Sequence, residues 1–64
     1  MVSNLKAIRK QKHMTQGQLA EATRLHRVTI AKYEAGHVSP TLESAQKLAK
    51  ALGVAIEELL QEAG

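Results

Sequence analysis

The chain has 64 residues, a formal net charge of +3 and no cysteine. A domain of this size buries a small share of its surface, so its core is marginal and has no disulfide to support it. No apolar run approaches the ~20 residues that a bilayer span needs, and the first residues lack the apolar stretch of a signal peptide. These features predict a cytoplasmic protein without a membrane partner.

Apolar residues recur three and four positions apart along the chain, which is the period of amphipathic helices. The sequence therefore predicts an all-α fold, a compact bundle of five helices without strands. The first helix is expected to start at a Ser3 cap, to end near Gln11 and to bury Leu5 and Ile8.

The second helix is expected to begin at Thr15 and to end near Ala22. Thr15 and Gln18 have the spacing of a capping box, in which each side chain accepts the backbone N–H of the other residue. Leu19 and Ala20 would face the core. This pairing sets the start of the helix at Thr15.

The third helix is predicted over about residues 27–34, with Ile30 and Tyr33 buried. Gly36, just past its end, suits a left-handed C-cap. A loop over residues 37–40 follows and leads to the next cap.

Thr41 is expected to cap a fourth helix that Gly53 terminates. Its predicted buried face comprises Leu42, Ala45, Leu48, Ala49 and Leu52. The fifth helix is predicted over about residues 55–61 and carries three large aliphatic side chains on two turns. They are Ile56, Leu59 and Leu60. Three large side chains are more than the buried face of a two-turn helix usually needs, so we expect part of this surface to be buried against a second copy in a homodimer.

Only about four residues, 23–26, separate the second and third helices. Two helices joined this closely, with the small Ala20 at their crossing, indicate a helix-turn-helix over about residues 16–35. The outer face of the third helix would then carry Arg27, Val28, Ala31 and Lys32. An α-helix fits the major groove of DNA, and its first residues meet the base edges.

The charge is distributed unevenly along the chain. Residues 1–39 hold seven Lys or Arg and two Glu, a net +5, whereas residues 40–64 hold two Lys and four Glu, a net −2. A basic front half and an acidic back half favour contact between the front half and a polyanion. The charge alone fits an ordinary solvated surface equally well, but together with the helix-turn-helix it makes double-stranded DNA the expected partner.

Five stretches of the chain together resemble the phage repressor and Cro-like helix-turn-helix domains, also called the XRE family. The stretches are residues 5–9, 14–21, 27–36, 39–43 and 48–54. Because they follow the order and spacing of the family, the resemblance covers nearly the whole chain and implies one domain over residues 1–64. It also implies a five-helix bundle that binds DNA as a dimer.

The resemblance further implies roles for individual residues. The positions that contact bases are Arg27, Val28, Lys32 and Thr29. The positions that contact phosphates are Gln16, Thr15, His37, Ser39 and Thr41, and Gln16 also braces a base-reading side chain. Arg9 and Glu34 match a pair that forms a largely buried salt bridge between the first and third helices.

The sequence departs from the family pattern at a few positions. His13 and Arg24 stand where glycine with positive φ is common, which costs about 1 kcal/mol each, so we expect the turn at Arg24 to be shaped differently. Thr23 replaces an apolar residue, Ala55 replaces a Ser or Asp cap, and Gly17 weakens the second helix by about 1 kcal/mol. A modestly stable domain is expected.

Other functions are less compatible with the sequence. The three histidines are 13 and 11 residues apart and lack a carboxylate cluster, so no metal site is expected. No catalytic nucleophile, carboxylate pair or phosphate loop is present, so we expect neither an enzyme nor a cofactor or small-molecule ligand. The leading hypothesis is a transcriptional repressor. The alternative is an antitoxin that binds a toxin and represses its own operon.

Overall fold

The computed structural model describes residues 4–60 of the chain. Within this range it has five α-helices and no strand, which confirms the predicted all-α class. The helices are α1 (Leu5–Gln11), α2 (Gln16–Thr23), α3 (Arg27–Ala35), α4 (Leu42–Leu52) and α5 (Ile56–Leu60). Among these helices, none combines the length and the apolar character needed to cross a bilayer. The predicted Ser3 cap and the predicted last residue of α5, Gln61, lie outside the described residues.

Two helices begin where threonine side chains satisfy backbone N–H groups. Thr15 Oγ1 accepts the Gln18 N–H at 3.0 Å, and Gln18 Oε1 accepts the Thr15 N–H at 2.8 Å. Thr41 Oγ1 accepts the Ser44 N–H at 3.2 Å. The predicted capping box and the predicted Thr41 cap are therefore confirmed, and each removes an unsatisfied donor from a helix start.

Left-handed backbone ends helices at both glycine and non-glycine residues. Gly36 and Gly53 end α3 and α4 with φ of 80° and 69°. His13 and Arg24 also have positive φ, at 57° and 60°. The turn at Arg24 therefore keeps the left-handed backbone that glycine favours and is not reshaped as expected. Each non-glycine residue there is strained by about 1–2 kcal/mol.

The core lies where all five helices meet. Each helix contributes one of the five largest fully buried side chains: Leu5, Leu19, Ile30, Leu48 and Leu59. Burying a side chain of this size stabilises the fold by about 1.5–3 kcal/mol relative to leaving it exposed. Because each helix supplies a single such residue, the bundle depends on all five helices.

The core corrects two sequence-based expectations. Leu42 was expected on the buried face of α4 but is 66% exposed. It shares its angular position with the buried Ala49, so its exposure arises because the first turn of α4 extends past the core. Leu59 was expected at a dimer interface but is 1% exposed, because it packs into the core of its own chain. Ile56 is half-buried against that core, and the Leu60 side chain lies outside the described part.

Thr23 is a buried polar residue at a position where the family pattern has an apolar one. Its hydroxyl donates to the Leu19 carbonyl at 2.7 Å and accepts the Leu25 N–H at 3.3 Å. Because this buried hydroxyl has a partner both as a donor and as an acceptor, its burial leaves no hydrogen bond unsatisfied. Thr23 thus fastens the end of α2 to the turn that leads into α3.

A hydrogen bond from a side chain joins the start of α1 to the last helix, α5. The Asn4 side-chain amide donates to the Glu58 carbonyl at 3.0 Å. This bond links the start of α1 to α5, which otherwise packs chiefly on α4.

We predict that His13→Gly stabilises the domain by about 0.5–1 kcal/mol. Glycine removes left-handed strain of about 1–2 kcal/mol. Its greater conformational freedom in the unfolded chain lowers stability and cancels about half of that gain. Urea unfolding followed by circular dichroism measures the change.

Lys12→Gly is the matched control for this substitution. Lys12 is exposed and adjacent to His13, but its φ of −88° is ordinary for any residue. The same change there is expected to destabilise the domain by up to about 1 kcal/mol. Equal loss of stability in both variants would show that His13 is not strained.

Candidate nucleic-acid interface

Three side chains of α3 project into solvent on the side away from the core. Arg27 and Lys32 are exposed cations, and the Val28 side chain between them is 58% exposed. Thr29 is half-buried, toward the inner face that Ile30 and Tyr33 form. These three side chains therefore form an exposed strip of two cations and one apolar residue along α3, and the opposite face of the helix packs on the core.

The starts of α2 and α3 favour negative ligands. Neither first turn carries an acidic side chain, whereas α4 has Glu43 and α5 has Glu57 and Glu58 in their first turns. A helix N-terminus carries about half a positive charge, which acidic first-turn residues neutralise. The first turns of α2 and α3 therefore contain no acidic residue that would repel a phosphate, a feature that α1 shares.

The positions expected to contact phosphates occupy two separate stretches. Thr15 and Gln16 stand at the start of α2, and Thr41 caps α4. His37 and Ser39 are exposed in the loop between α3 and α4. The Thr15 hydroxyl accepts a backbone N–H and can still donate one hydrogen bond. The Thr41 hydroxyl accepts the Ser44 N–H and donates to the Ser44 hydroxyl at 3.2 Å, so its hydrogen is already used.

A buried ion pair holds α3 against α1. Arg9 Nε donates to Glu34 Oε2 at 2.6 Å, and a second Arg9 nitrogen donates to Glu34 Oε1 at 3.2 Å. The side chains are only 9% and 4% exposed. This bidentate geometry fixes orientation as well as distance, because the guanidinium and the carboxylate are both planar.

The same ion pair extends to the start of α2. Arg9 Nη1 donates to the Met14 carbonyl at 2.8 Å, and Gln16 Nε2 donates to Glu34 Oε1 at 3.0 Å. Sequence reasoning did not find the Gln16 bond, because it joins residues 18 positions apart. One amide hydrogen of Gln16 is used in this way, and the second is the donor that a phosphate oxygen would accept.

Both members of the ion pair are stabilised in their charged forms. Burial raises the pKa of Glu34, but hydrogen bonds from Arg9 and Gln16 and the positive charge of Arg9 outweigh it and hold the pKa below its ordinary 4.5. The hydrogen bond to Glu34 likewise raises the pKa of Arg9. The pair is therefore ionised at neutral pH.

Residues 5–59 match the family described as Helix-turn-helix. The chain belongs to the XRE-type helix-turn-helix family. This confirms the resemblance inferred from the five sequence stretches. The family is one of DNA-binding transcription regulators and is not a class of enzyme. Within the described residues, no group of three or more His, Cys, Asp or Glu could hold a metal ion.

Three relatives of this XRE-type domain are regulators by name. The immunity repressor protein of Bacillus phage phi105 is 38% identical over 58 residues, which cover 91% of this chain and 40% of the relative. The HTH-type transcriptional activator BcrR of Enterococcus faecalis is 41% identical over 56 residues, 88% of this chain and 28% of the relative. The cryptic phage CTXphi transcriptional repressor RstR of Vibrio cholerae is 35% identical over 60 residues, 94% and 54%. The chain thus spans between about a quarter and about half of these relatives.

We predict that the ion pair of the XRE-type domain is strongly coupled. Arg9→Met leaves a buried carboxylate without its cation and should destabilise the domain by about 3–5 kcal/mol. Glu34→Leu should cost a similar amount. The double variant should be far more stable than the sum of the single losses, because no buried charge remains. Urea unfolding of all four proteins measures the coupling.

The exposed pair of Lys47 and Glu43 provides the control. Its atoms are 3.7 Å apart and its side chains are 48% and 81% exposed. Lys47→Met should therefore change the free energy of unfolding by less than about 1 kcal/mol. If the double variant loses as much stability as Arg9→Met and Glu34→Leu together, the two side chains are not coupled and the prediction is wrong.

We predict that acid weakens the fold through Glu34. Because the folded-state pKa of Glu34 is lowered, its contribution to stability is present above about pH 4.5 and is lost as the pH falls through the folded-state value. The urea midpoint should therefore fall as the pH is lowered below about 4.5. In Glu34→Gln this part of the pH dependence should disappear. An equally steep fall in that variant would assign the acid sensitivity to other carboxylates.

Proposed function

We propose that this chain is a sequence-specific double-stranded DNA-binding transcriptional regulator that reads the major groove with α3. The observation that carries the proposal is the exposed strip of Arg27, Val28 and Lys32 on a helix whose opposite face is fixed by the core and by the Arg9 pair with Glu34. An exposed reading face on a rigidly held helix is what recognition of base edges requires.

The three side chains have complementary chemistry toward base pairs. Arg27 stands at the first position of α3 and can donate two parallel hydrogen bonds to guanine O6 and N7. Val28 can pack on a thymine methyl group, and Lys32, one turn later, can reach a base or a phosphate. Thr29 is half-buried and contributes at the edge of this surface.

Phosphate contacts would orient the domain on the duplex. Thr15 and Gln16 at the positive end of α2 would bind one stretch of backbone, and His37, Ser39 and Thr41 another. The net charge of +5 over residues 1–39 supports this orientation, since it lies in the part of the chain that contains both stretches or borders them.

We favour repression as the regulatory outcome. Two of the three relatives are repressors by name and one is an activator. A domain that occupies an operator excludes other proteins from it without needing further parts. An antitoxin role is the competing proposal, and a stable complex with a co-purified toxin would favour it.

We further propose that the chain acts as a homodimer on a near-palindromic operator. A two-fold axis would place two α3 helices about 34 Å apart, on the same face of DNA. With Leu59 inside the core, the interface would involve the outer side of α5, at Ile56 and Leu60. The half-buried state of Ile56 is compatible with this position.

We predict that Arg27→Ala and Lys32→Ala reduce sequence discrimination and that the double variant abolishes it. Loss of one bidentate contact to guanine should cost about 1–3 kcal/mol at one base pair. Sites are first obtained by selection from random duplexes with the wild-type protein. Competition gel shifts with selected and scrambled duplexes then measure discrimination.

Lys50→Ala is the matched control, because it removes an exposed cation from the last turn of α4. It should weaken binding to selected and scrambled duplexes equally. Full discrimination by the Arg27 and Lys32 double variant would refute α3 as the reading helix. Selected sites with inverted half-sites one helical turn apart would support the homodimer, and single half-sites would exclude it.

A further inference from the structure

Gly17 occupies a position where the backbone does not require glycine. It lies in the first turn of α2, and it is not among the glycines with positive φ, which are Gly36 and Gly53. Glycine is among the poorest helix formers, and alanine would be favoured at an ordinary helical position. The side chains beside residue 17 therefore decide how large a residue this position can hold.

The side chain of Arg27 lies over Gly17. A Cβ atom placed ideally on Gly17 would be 3.9 Å from Arg27 Cδ, 4.0 Å from Arg27 Nη1 and 3.8 Å from Thr15 Oγ1. These are ordinary van der Waals distances, so a methyl group fits but fills the remaining space. Because Nη1 belongs to the guanidinium, the charged head of Arg27 itself rests against the first turn of α2.

We propose that residue 17 is a specificity-determining position, because only a side chain no larger than that of alanine leaves the Arg27 guanidinium in its place. The proposal rests on the proposed function, which gives Arg27 its role in reading a base. Residue 17 would be a positioning residue, because it would act on the DNA only through Arg27.

The orientation of an arginine matters more than its presence. A guanidinium reads guanine only when its two parallel N–H groups align with O6 and N7, and a long flexible side chain reaches that arrangement in few of its conformations. A side chain at residue 17 that is larger than a methyl group would enter the space that Arg27 occupies and would displace the guanidinium from the plane of the base.

A size series at residue 17 separates this role from helix stability. Alanine adds a methyl group at contact distance and improves helix propensity, so it should leave Arg27 in place. Valine adds two γ carbons beyond a Cβ that already lies at contact distance from Arg27, and its χ1 is restricted in a helix, so it leaves less room for the Arg27 side chain. The two variants therefore differ in what they do to Arg27 while both keep an apolar side chain.

Competition gel shifts of wild type, Gly17→Ala and Gly17→Val on selected duplexes test the proposal. Gly17→Ala should keep its discrimination within about twofold. Gly17→Val should lose about tenfold at the base pair read by Arg27, most of the discrimination of one bidentate contact. Its binding to scrambled duplexes should stay within about twofold, because phosphate contacts are retained.

Ala22→Val is the matched control on the same helix. Ala22 is exposed and lines a cleft with Arg24, Lys47 and Lys50, on a different side of α2 from Gly17. The same added volume there should leave discrimination unchanged. A comparable loss in Ala22→Val would show that valine acts by perturbing α2 as a whole, which would overturn the proposal.

The Arg27→Ala background distinguishes this inference from the function on which it rests. If Gly17 acts through Arg27, adding Gly17→Val to Arg27→Ala should cause no further loss. Unchanged discrimination in Arg27→Ala would refute the proposed function itself. Lost discrimination in Arg27→Ala together with full discrimination in Gly17→Val would refute the role of Gly17 alone.

A measurement without DNA completes the test. The Nε–Hε resonance of Arg27 in the isotope-labelled free protein should be unchanged in Gly17→Ala and displaced in folded Gly17→Val. Thermal melting verifies folding. If valine prevents folding, Gly17→Leu replaces it, since leucine is a strong helix former of greater volume. An undisplaced Arg27 resonance with unchanged discrimination in the folded variant would overturn the proposal.

Discussion

The bidentate contact between Arg9 and Glu34 is the constraint on which the arrangement of the helices depends. Hydrophobic contacts alone would hold α3 loosely, because its main buried apolar side chains are Ile30 and Tyr33 and it must leave its other face exposed. Apolar packing is also non-directional. A planar ion pair at the last turn of α3 supplies the missing direction and prevents the helix from rotating about its axis.

This constraint reaches the start of α2 through two further bonds. Arg9 holds the Met14 carbonyl in the turn before α2, and Glu34 holds the side chain of Gln16. The beginning of α2 is therefore positioned relative to the end of α3, while Gly17 and Arg27 bring the two helix starts together. Within the described residues, every buried side-chain nitrogen and oxygen has a partner, so this polar arrangement carries no unsatisfied group.

Local chemistry made much of the fold predictable from the sequence. Contacts between distant residues could not be derived from local patterns, and the Arg9 pair with Glu34 was expected only from the family resemblance. Capping residues could be found in the sequence because each acts on the backbone next to it. Thr15 with Gln18 and Thr41 mark helix starts, and Gly36 and Gly53 mark helix ends. Periodicity gives only the angle of a side chain around a helix, so it could not reveal that Leu42 stands beyond the end of the core. It also could not decide whether Leu59 faces its own chain or a second copy, because both would need an apolar residue there.

The alternation of buried and exposed residues along α3 has an evolutionary consequence. Positions 27, 28 and 32 face solvent, whereas Ile30, Tyr33 and Glu34 carry the packing and the ion pair. If α3 reads DNA as proposed, substitutions at the exposed positions change the target without changing the scaffold, since surface replacements rarely alter stability by more than about 0.5 kcal/mol. Duplicated copies of such a domain can drift apart in target preference until they no longer compete, while each keeps the same fold.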